Sequence, residues 1–171
     1  MLVDRHALDG TDEETGAPFI LWRGTEKMTL IRPMEFIDLD RGFLETLSHL
    51  SSVDLTRAEA QNIWEARTSA GICSIVAEET GRVIGTASLM IEQKFIHRGG
   101  LVGHIEDVAV HRDHWRKGIG TSMVDYLTKM AVDKGCYKVI LNCLDHLVPF
   151  YERIGYHRYD SGLRFNKASA T

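Results

Sequence analysis

Hydrophobic and polar positions along the chain follow periods that predict strands and helices in turn. The apolar run MTLIRPM at 28–34 is typical of a strand that ends at Pro33. Apolar residues at near-helical spacing then predict a helix, and they are Ile37, Leu39, Phe43, Leu44, Leu47 and Leu50. A second helix is predicted from Thr56, because Thr56 and Glu59 form a T-x-x-E capping box, with Gly71 after its end.

The middle of the chain has the period-two patterning of β-strands. The segments ICSIVAEE and RVIGTASLMIEQKF, joined at Thr80–Gly81, predict an antiparallel hairpin. A polar, glycine-rich connection at 94–103 leads into the strand HIEDVAV at 104–110. Strict alternation places its side chains on two faces, one with His104, Glu106, Val108 and Val110, the other with Ile105, Asp107 and Ala109.

The C-terminal third alternates between helical and strand patterns. Apolar positions over 119–131 form a helical stripe, and Gly135 is placed to end that helix. The runs at 137–144, 147–155 and 156–167 predict a buried strand, a short helix and a last strand. This order predicts an α/β (α+β) fold with a mixed, mostly antiparallel central sheet flanked by helices.

Length and composition favour one globular domain. The chain has 171 residues, 44% of them hydrophobic and 26% charged, which suffices for a substantial core. Residues 1–27 lack periodicity and predict a loosely ordered N-terminal arm, although FILW at 19–22 is apolar enough to dock on the body. Residues 28–171 are the predicted domain.

The net charge and the cysteines indicate which binding partners and which cellular compartment to expect. A net charge of −4 gives no reason to expect nucleic acid or an anionic membrane as the partner. Three cysteines without a CxxC pair argue against a disulfide framework and favour a reducing compartment, most simply the cytoplasm.

The start of the helix at 119 has the features of an anion site. Gly118 and Gly120 let an anion approach the unpaired amides of the first turn, while Arg116 and Lys117 add charge. The alternative is an ordinary glycine turn before a surface helix. A dinucleotide fingerprint is excluded by Met123 at its third glycine position, and the lysine of a P-loop is missing.

The segment VAVHRDHWRKGIGTSMV resembles the acetyl-CoA-binding segment of the GNAT acetyltransferase superfamily, in which Q/R-x-x-G-x-G/A opens a helix. The resemblance implies the GNAT fold and acetyl-CoA as acetyl donor, without a metal. The implied pyrophosphate contacts are Arg116, Lys117, Gly118, Ile119, Gly120 and Thr121. Trp115 stands at the Q/R position, which removes one polar contact and leaves the backbone site.

Three further segments narrow the resemblance. KFIHRGGLVGHIEDVAV, GCYKVILNC and FYERIGY together resemble the glucosamine-6-phosphate N-acetyltransferases, over about residues 29–167. The implied enzyme transfers acetyl from acetyl-CoA to the 2-amino group of D-glucosamine 6-phosphate by direct attack in a ternary complex, toward UDP-N-acetylglucosamine. The alternatives are a GNAT enzyme acting on another small amine or a protein lysine, and a non-catalytic acyl-CoA-binding module.

The resemblance assigns the chemistry to three residues: Glu106 to the amine, the backbone carbonyl of Asn142 to its orientation, and Tyr151 to the leaving thiolate. From spacing alone, Glu106 is equally an exposed sheet-edge residue and Tyr151 a core aromatic. Cys143 is interpreted as a small buried strand residue rather than an acyl-accepting nucleophile. The implied backbone pairing with the pantetheine arm covers Asp107, Val108, Ala109 and Val110.

A sugar phosphate needs a second anion site. The resemblance places it beside Lys94, His97, Arg98 and Glu106, with Ser51 and Ser52 as further candidates. Without the resemblance, KFIHRGG is equally a solvated hairpin tip. The family is homodimeric, which implies a contribution to the partner from the tail residues Arg164 and Lys167. Leu147 departs from the family's usual asparagine, which puts one contact to the CoA arm in doubt.

Overall fold

The structure, a computed structural model, describes residues 19–23 and 27–166. Its strands are β1 (Phe19–Arg23), β2 (Lys27–Pro33), β3 (Cys73–Glu79), β4 (Arg82–Gln93), β5 (Leu101–Val110) and β6 (Cys136–Leu141). Its α-helices are α1 (Phe43–Leu47), α2 (Arg57–Ser69), α3 (Ile119–Asp133) and α4 (Val148–Glu152). Short 3-10 turns lie at Phe36–Asp40, Arg112–His114 and Asp145–Leu147. The chain divides at Leu141 into two compact units, a larger one that carries the sheet and a C-terminal one that carries α4.

The six strands lie side by side in sequence order. Every neighbouring pair from β1 to β5 is antiparallel, and β6 joins the sheet next to β5 after the helical crossover through α3, a connection typical of parallel neighbours. The predicted fold class is confirmed. The expected boundary after residue 27 falls at the first residue of β2, which pairs with β1 so that Phe19 lies opposite Ile31. Residues 1–18 of the expected arm lie outside the described residues.

Helices cover both faces of the sheet in the larger unit. On one face α3 packs against β3, β4 and β5 through its apolar stripe, which comprises Ile119, Met123, Val124, Leu127 and Ala131. On the other face α1 packs against β4 and β5, and Thr46 of α1 donates a buried hydrogen bond of 2.8 Å to the Val83 carbonyl. The central strands β3 and β4 are buried between these layers.

Gly85 of β4 allows α3 to approach the sheet closely. A Cβ atom at this position would lie 3.0 Å from the Met123 thioether and 3.1 Å from the Ala77 Cβ. Both distances are shorter than ordinary van der Waals contact, so a side chain at this position would force Met123 and Ala77 to shift.

The capping box of the second helix is confirmed. The Thr56 side chain accepts from the Glu59 amide, and the Glu59 carboxylate accepts from the Thr56 amide at 2.8 Å. The first predicted helix is instead a 3-10 turn at Phe36–Asp40 followed by α1. The break is at Gly42, whose φ of 94° is left-handed and interrupts the helical backbone while the apolar spacing continues.

Three expectations at the C-terminal end need correction. The last predicted strand is wrong for the described chain, since residues 157–166 contain neither helix nor strand and a strand needs a hydrogen-bonded neighbour. The strand predicted at 137–144 ends at Leu141. Cys143 therefore lies beyond β6 and is exposed, not a buried strand residue. Lys167 lies outside the described residues.

A buried charge cluster ties β2, β3 and the first 3-10 turn together. The Arg32 guanidinium donates two hydrogen bonds of 2.7 Å to the fully buried Asp38 carboxylate and two, of 2.6 and 3.0 Å, to the Glu78 carboxylate. Bidentate geometry of this kind compensates the desolvation of both charges. The two carboxylates hold the pKa of Arg32 above its usual range. Of the described helices, none is long and apolar enough to cross a membrane.

Candidate functional site

The α3 N-terminus has the open backbone that an anion site requires. Its first helical hydrogen bond runs from the Ser122 amide to the Gly118 carbonyl at 3.0 Å, so the preceding amides have no partner within the helix. Gly118 is the N-cap with φ 81°, and Arg116 before it has φ 61°. Two left-handed residues in one short turn change the direction of the chain sharply. The side chains of Arg116 and Lys117 are exposed, next to the free amides of the first turn of α3.

A hydrogen bond from the Trp115 side chain links this turn to the end of β5. Its indole Nε1 donates to the Val110 carbonyl at 2.7 Å, while its own amide bonds to Arg112 at 3.1 Å. Because the His111 amide bonds to Ile84 on β4, the neighbouring Val110 carbonyl points to the opposite edge of β5. Trp115, which replaces the usual Gln or Arg, therefore forms a contact that orders the loop. Its hydrogen bond occupies the Val110 carbonyl, one acceptor of β5.

β5 contains a bulge at the residues expected to meet the pantetheine arm. Its register with β4 shifts between Thr86↔Ala109 and Ser88↔Glu106, so Asp107 and Val108 lie opposite one residue of β4. Asp107 has a left-handed φ of 55°. The bulge reverses the alternation beyond it, and the faces predicted by strict alternation are wrong after Glu106.

The bulge places Glu106 on the face that carries α1. Glu106 and Ala109 now share a face with their partners Ser88 and Thr86, because paired residues of an antiparallel ladder point to the same side. Glu106 is half-buried. Among the described residues, none forms a hydrogen bond or ion pair with its carboxylate. A half-buried carboxylate with free acceptors is suited to receive an amine.

The connection from β4 to β5 holds its three basic residues in different ways. Lys94 pairs with Glu92 at 2.6 Å, and Glu92 also bonds to His104 at 3.0 Å. These contacts hold the pKa of the Glu92 carboxyl below its usual range. The His97 ring packs against the Tyr137 ring, with the centroids 4.8 Å apart and the ring planes tilted by 48°. The charge of Lys94 is thus already paired with Glu92, and the ring of His97 is already packed against Tyr137.

Arg98 is the available cation of this connection. It has a left-handed φ of 58°, directly after His97 with φ 51°, and none of the described acidic residues pairs with it. Gly100 closes the turn, where an added Cβ would lie 2.8 Å from the Tyr137 ring. The loop geometry therefore presents one free guanidinium at the β4–β5 turn. Ser51 and Ser52, the weaker candidates, are exposed after α1.

The C-terminal unit contains Asn142, Tyr151 and Arg164. Tyr151 lies in α4 and is 9% exposed. The centroid of its ring lies 4.9 Å from that of Phe150 and 6.1 Å from that of Tyr156. Burial, together with Cys143 and Tyr156, raises the pKa of the Tyr151 phenol. A raised pKa keeps the phenol protonated near neutral pH and therefore able to donate.

The other residues of this unit are more exposed. Asn142 and Leu147 are exposed beyond β6, and within the described part of the chain Arg164 bonds only locally, from Nε to Asn166 Oδ1 at 2.6 Å. Desolvation raises the pKa of the Cys143 thiol. Because the thiolate is the nucleophilic form, this shift disfavours an acyl-cysteine step.

The comparisons with known proteins decide the family. The profile of the acetyltransferase (GNAT) family matches residues 37–156. The chain belongs to the GNAT acetyltransferase family. Glucosamine 6-phosphate N-acetyltransferase of Trypanosoma brucei brucei is 40% identical over 139 residues, 80% of this chain and 94% of the relative. The enzyme of that name from Candida albicans is 39% identical, over 73% of this chain and 87% of the relative.

Solved structures agree with this GNAT assignment. A Trypanosoma brucei acetyltransferase superposes with a TM-score of 0.76 at 39% identity, covering 81% of this chain and 99% of the other. Glucosamine-6-phosphate N-acetyltransferase from Arabidopsis thaliana gives 0.75 at 34% identity, with coverage of 82% and 98%. An acetyltransferase of Clostridium acetobutylicum solved with acetyl-CoA gives 0.63 at 19% identity, with coverage of 81% and 96%, and is a likeness of fold alone. The family resemblance seen in the sequence is confirmed.

Sequence reasoning missed one residue that contacts the β5 bulge. Arg67 of α2 donates to Ser88 at 2.6 Å and approaches the Asp107 carboxylate to 3.8 Å. No local motif marks it, because its partners lie 21 and 40 positions further along the chain. The only signal in the sequence is an arginine near the end of a helix, which is ordinarily a solvated residue.

Proposed function

We propose that this chain transfers an acetyl group from acetyl-CoA to the 2-amino group of D-glucosamine 6-phosphate, giving N-acetyl-D-glucosamine 6-phosphate and CoA. The observation that carries the proposal is the course of β5. One strand presents the free carboxylate of Glu106, then the bulge at Asp107, and then leads into the glycine turn at Gly118. The relatives from Trypanosoma and Candida have this activity in their names.

The donor binds along β5 and the α3 turn. The pyrophosphate of acetyl-CoA accepts hydrogen bonds from the amides of 118–121, with Arg116 and Lys117 supplying charge. The pantetheine arm pairs with the backbone of Asp107 to Val110 as an added strand. Support for this placement comes from the bulge, which frees backbone groups from the β4 ladder.

The transfer is a direct attack. The neutral amine nitrogen forms a bond to the thioester carbonyl carbon, and the carbon–sulfur bond then breaks. The proton lost by the nitrogen passes to the Glu106 carboxylate, directly or through water, and the departing thiolate takes a proton from the Tyr151 phenol. The Asn142 backbone carbonyl orients the amine. Positioning of the two reactants supplies much of the rate.

The sugar phosphate binds at the β4–β5 turn. Arg98 contacts the phosphate, since its charge is unpaired among the described residues, and guanidinium groups match phosphate geometry. Lys94 and His97 border the site, with Lys94 held by Glu92. Ser51 and Ser52 complete the sugar side as hydroxyl donors.

The proposal includes a homodimer. Leu163 and Phe165 of the C-terminal tail are 98% and 94% exposed, and a solvent-exposed aromatic of this kind favours burial against a partner. A second copy supplies the neighbouring backbone that residues 157–166 need to become a strand. Arg164, next to both side chains, then contributes to the partner's phosphate site.

We also place the enzyme in a reducing compartment, the cytoplasm in the simplest case. All three cysteines, at positions 73, 136 and 143, are free thiols, which such a compartment preserves. The product enters synthesis toward UDP-N-acetylglucosamine.

A thiol-release assay with purified protein and acetyl-CoA tests the activity. Glucosamine 6-phosphate is compared with glucosamine, a polyamine and a lysine peptide, and mass spectrometry identifies the acetylated product. We expect turnover with glucosamine 6-phosphate far above the other amines. Turnover confined to another amine would move the chain to a different GNAT activity. CoA binding without any transfer would make it a non-catalytic acyl-CoA-binding protein.

A further inference from the structure

One guanidinium joins three strands of the sheet to helix α2. Arg67 Nη2 donates to Ser88 Oγ on β4 at 2.6 Å and lies 3.5 Å from Ser74 Oγ on β3. Arg67 Nη1 lies 3.8 Å from Asp107 Oδ2 on β5. The two serine hydroxyls are themselves 3.2 Å apart. Arg67 therefore connects β3, β4 and β5 at one level of the sheet.

The bulge of β5 lies at this same level of the sheet. Ser88, which receives the short hydrogen bond, is the cross-strand partner of Glu106, and Asp107 is the left-handed residue that forms the bulge. A non-glycine residue in the left-handed region is strained and persists only where its surroundings hold it. Of the described basic side chains, only that of Arg67 lies within ion-pair distance of the Asp107 carboxylate.

We infer that Arg67 is a positioning residue for acetyl transfer, which holds the Asp107 bulge so that Glu106 and the adjoining backbone keep their reactive geometry. This inference rests on the proposed function. Arg67 acts through Ser88 and Asp107. The partly exposed pair with Asp107 is supported by the short, part-buried hydrogen bond to the buried Ser88 hydroxyl, which orients the guanidinium.

The geometry distinguishes this role from general stabilisation of the helix. Arg57 lies on the same helix, ten residues earlier, and forms an ion pair with Asp40 at 2.6 Å. It also lies 4.3 Å from the centroid of the Phe36 ring. Among the described residues, no hydrogen bond or ion pair joins Arg57 to β4 or β5. It is thus a matched control, an arginine of α2 whose removal leaves the bulge untouched.

The experiment compares Arg67→Met, Arg67→Lys and Arg57→Met in the full chain. Methionine keeps the apolar stem of Arg67, and lysine keeps one charge without the planar fork. We expect Arg67→Met to lower kcat about tenfold to a hundredfold through misplacement of reacting groups. The KM for glucosamine 6-phosphate should change less than about twofold, since Arg98 is intact. Arg67→Lys should restore part of the lost kcat, and Arg57→Met should retain the wild-type kcat.

Hydrogen exchange provides a readout that does not depend on turnover. Amides at 105–110 should exchange faster in Arg67→Met than in Arg57→Met, while those at 75–77 in β3 should be unchanged. Equal exchange at 105–110 in the two variants, or acceleration spread evenly over β3 and β5, would overturn the inference. A wild-type chain that does not acetylate glucosamine 6-phosphate refutes the proposed function instead, and the exchange contrast still decides the role of Arg67.

Discussion

Burial decides which protonation state Tyr151 offers to the reaction. The phenol is almost fully enclosed, and its pKa lies above the ordinary value because the charged form loses hydration. The group therefore stays protonated from neutral pH up to at least about pH 10, the usual value for tyrosine. At the scale of single residues, the protonated phenol suits Tyr151 to the donor role that we propose for it.

Tyr151→Phe should lower kcat about a hundredfold, because a phenyl ring retains the packing and cannot donate to a thiolate. The dissociation constant for acetyl-CoA should be nearly unchanged, as calorimetry would show. Tyr156→Phe, in the neighbouring ring, is the control and should retain kcat. An undiminished kcat in Tyr151→Phe would remove the leaving-group role.

Arg98→Ala tests the phosphate site at the same scale. The KM for glucosamine 6-phosphate should rise by about tenfold or more, since a charge-assisted contact to the phosphate is lost. Steady-state kinetics with unphosphorylated glucosamine is the control, because that acceptor makes no such contact. An equal loss with both acceptors would show that Arg98 does not contact the phosphate. Lys94→Ala should have the smaller effect, as Lys94 already pairs with Glu92.

At the scale of elements, α2, α3 and the β3–β4 hairpin followed from periodicity, whereas the first helix, the last strand and the strained positions did not. The capping box and the Thr80–Gly81 hairpin are encoded by neighbouring residues, so local sequence predicts them. The bulge at Asp107 depends on Ser88 and Arg67, which are distant in sequence. Alternation read from β5 alone therefore assigned the wrong face to Ala109.

The same distinction applies to the site. The glycine turn before α3 was visible in the sequence because its residues are contiguous. The pairing of Lys94 with Glu92, the packing of His97 against Tyr137 and the bond from Trp115 to Val110 arise only in the folded chain. Local sequence indicates which residue types are available, and the tertiary structure decides which remain free for a ligand.

Gly118→Val tests the turn as an element. A β-branched residue is strained at φ 81° and places a side chain beside the amides, so the affinity for CoA should fall about tenfold or more. Gly71→Val is the matched control, because Gly71 also has a left-handed φ of 72° and has open space around it. Calorimetry should show weaker CoA binding in the first variant alone. Unchanged binding in Gly118→Val would contradict the pyrophosphate assignment.

For the whole molecule, the Arg32 cluster should contribute far more to stability than the surface pairs. Asp38→Ala leaves the buried Arg32 guanidinium without its bidentate partner, and we expect a loss of about 3–5 kcal/mol in the free energy of unfolding. Asp40→Ala breaks the exposed pair with Arg57 and should change stability little. Urea denaturation of the two variants measures the contrast. Similar midpoints would show that the buried cluster is not a stabilising contact.

The homodimer makes a prediction at the same scale. Phe165→Ser should shift the chain from twice the monomer mass to the monomer mass in light scattering, because it removes an apolar side chain that we place in the interface. Val132→Ser, an exposed apolar change on α3, is the control and should leave the mass unchanged. A wild-type chain that is monomeric at assay concentration and fully active would contradict a site shared between subunits.

A crystal structure with CoA and glucosamine 6-phosphate is the most direct test of the account. We predict the pyrophosphate within hydrogen-bond distance of the amides at 118–121, the pantetheine arm beside the Asp107 bulge, and the sugar amine next to Glu106. A coenzyme bound at another surface, with the glycine turn before α3 making no contact to it, would contradict the account.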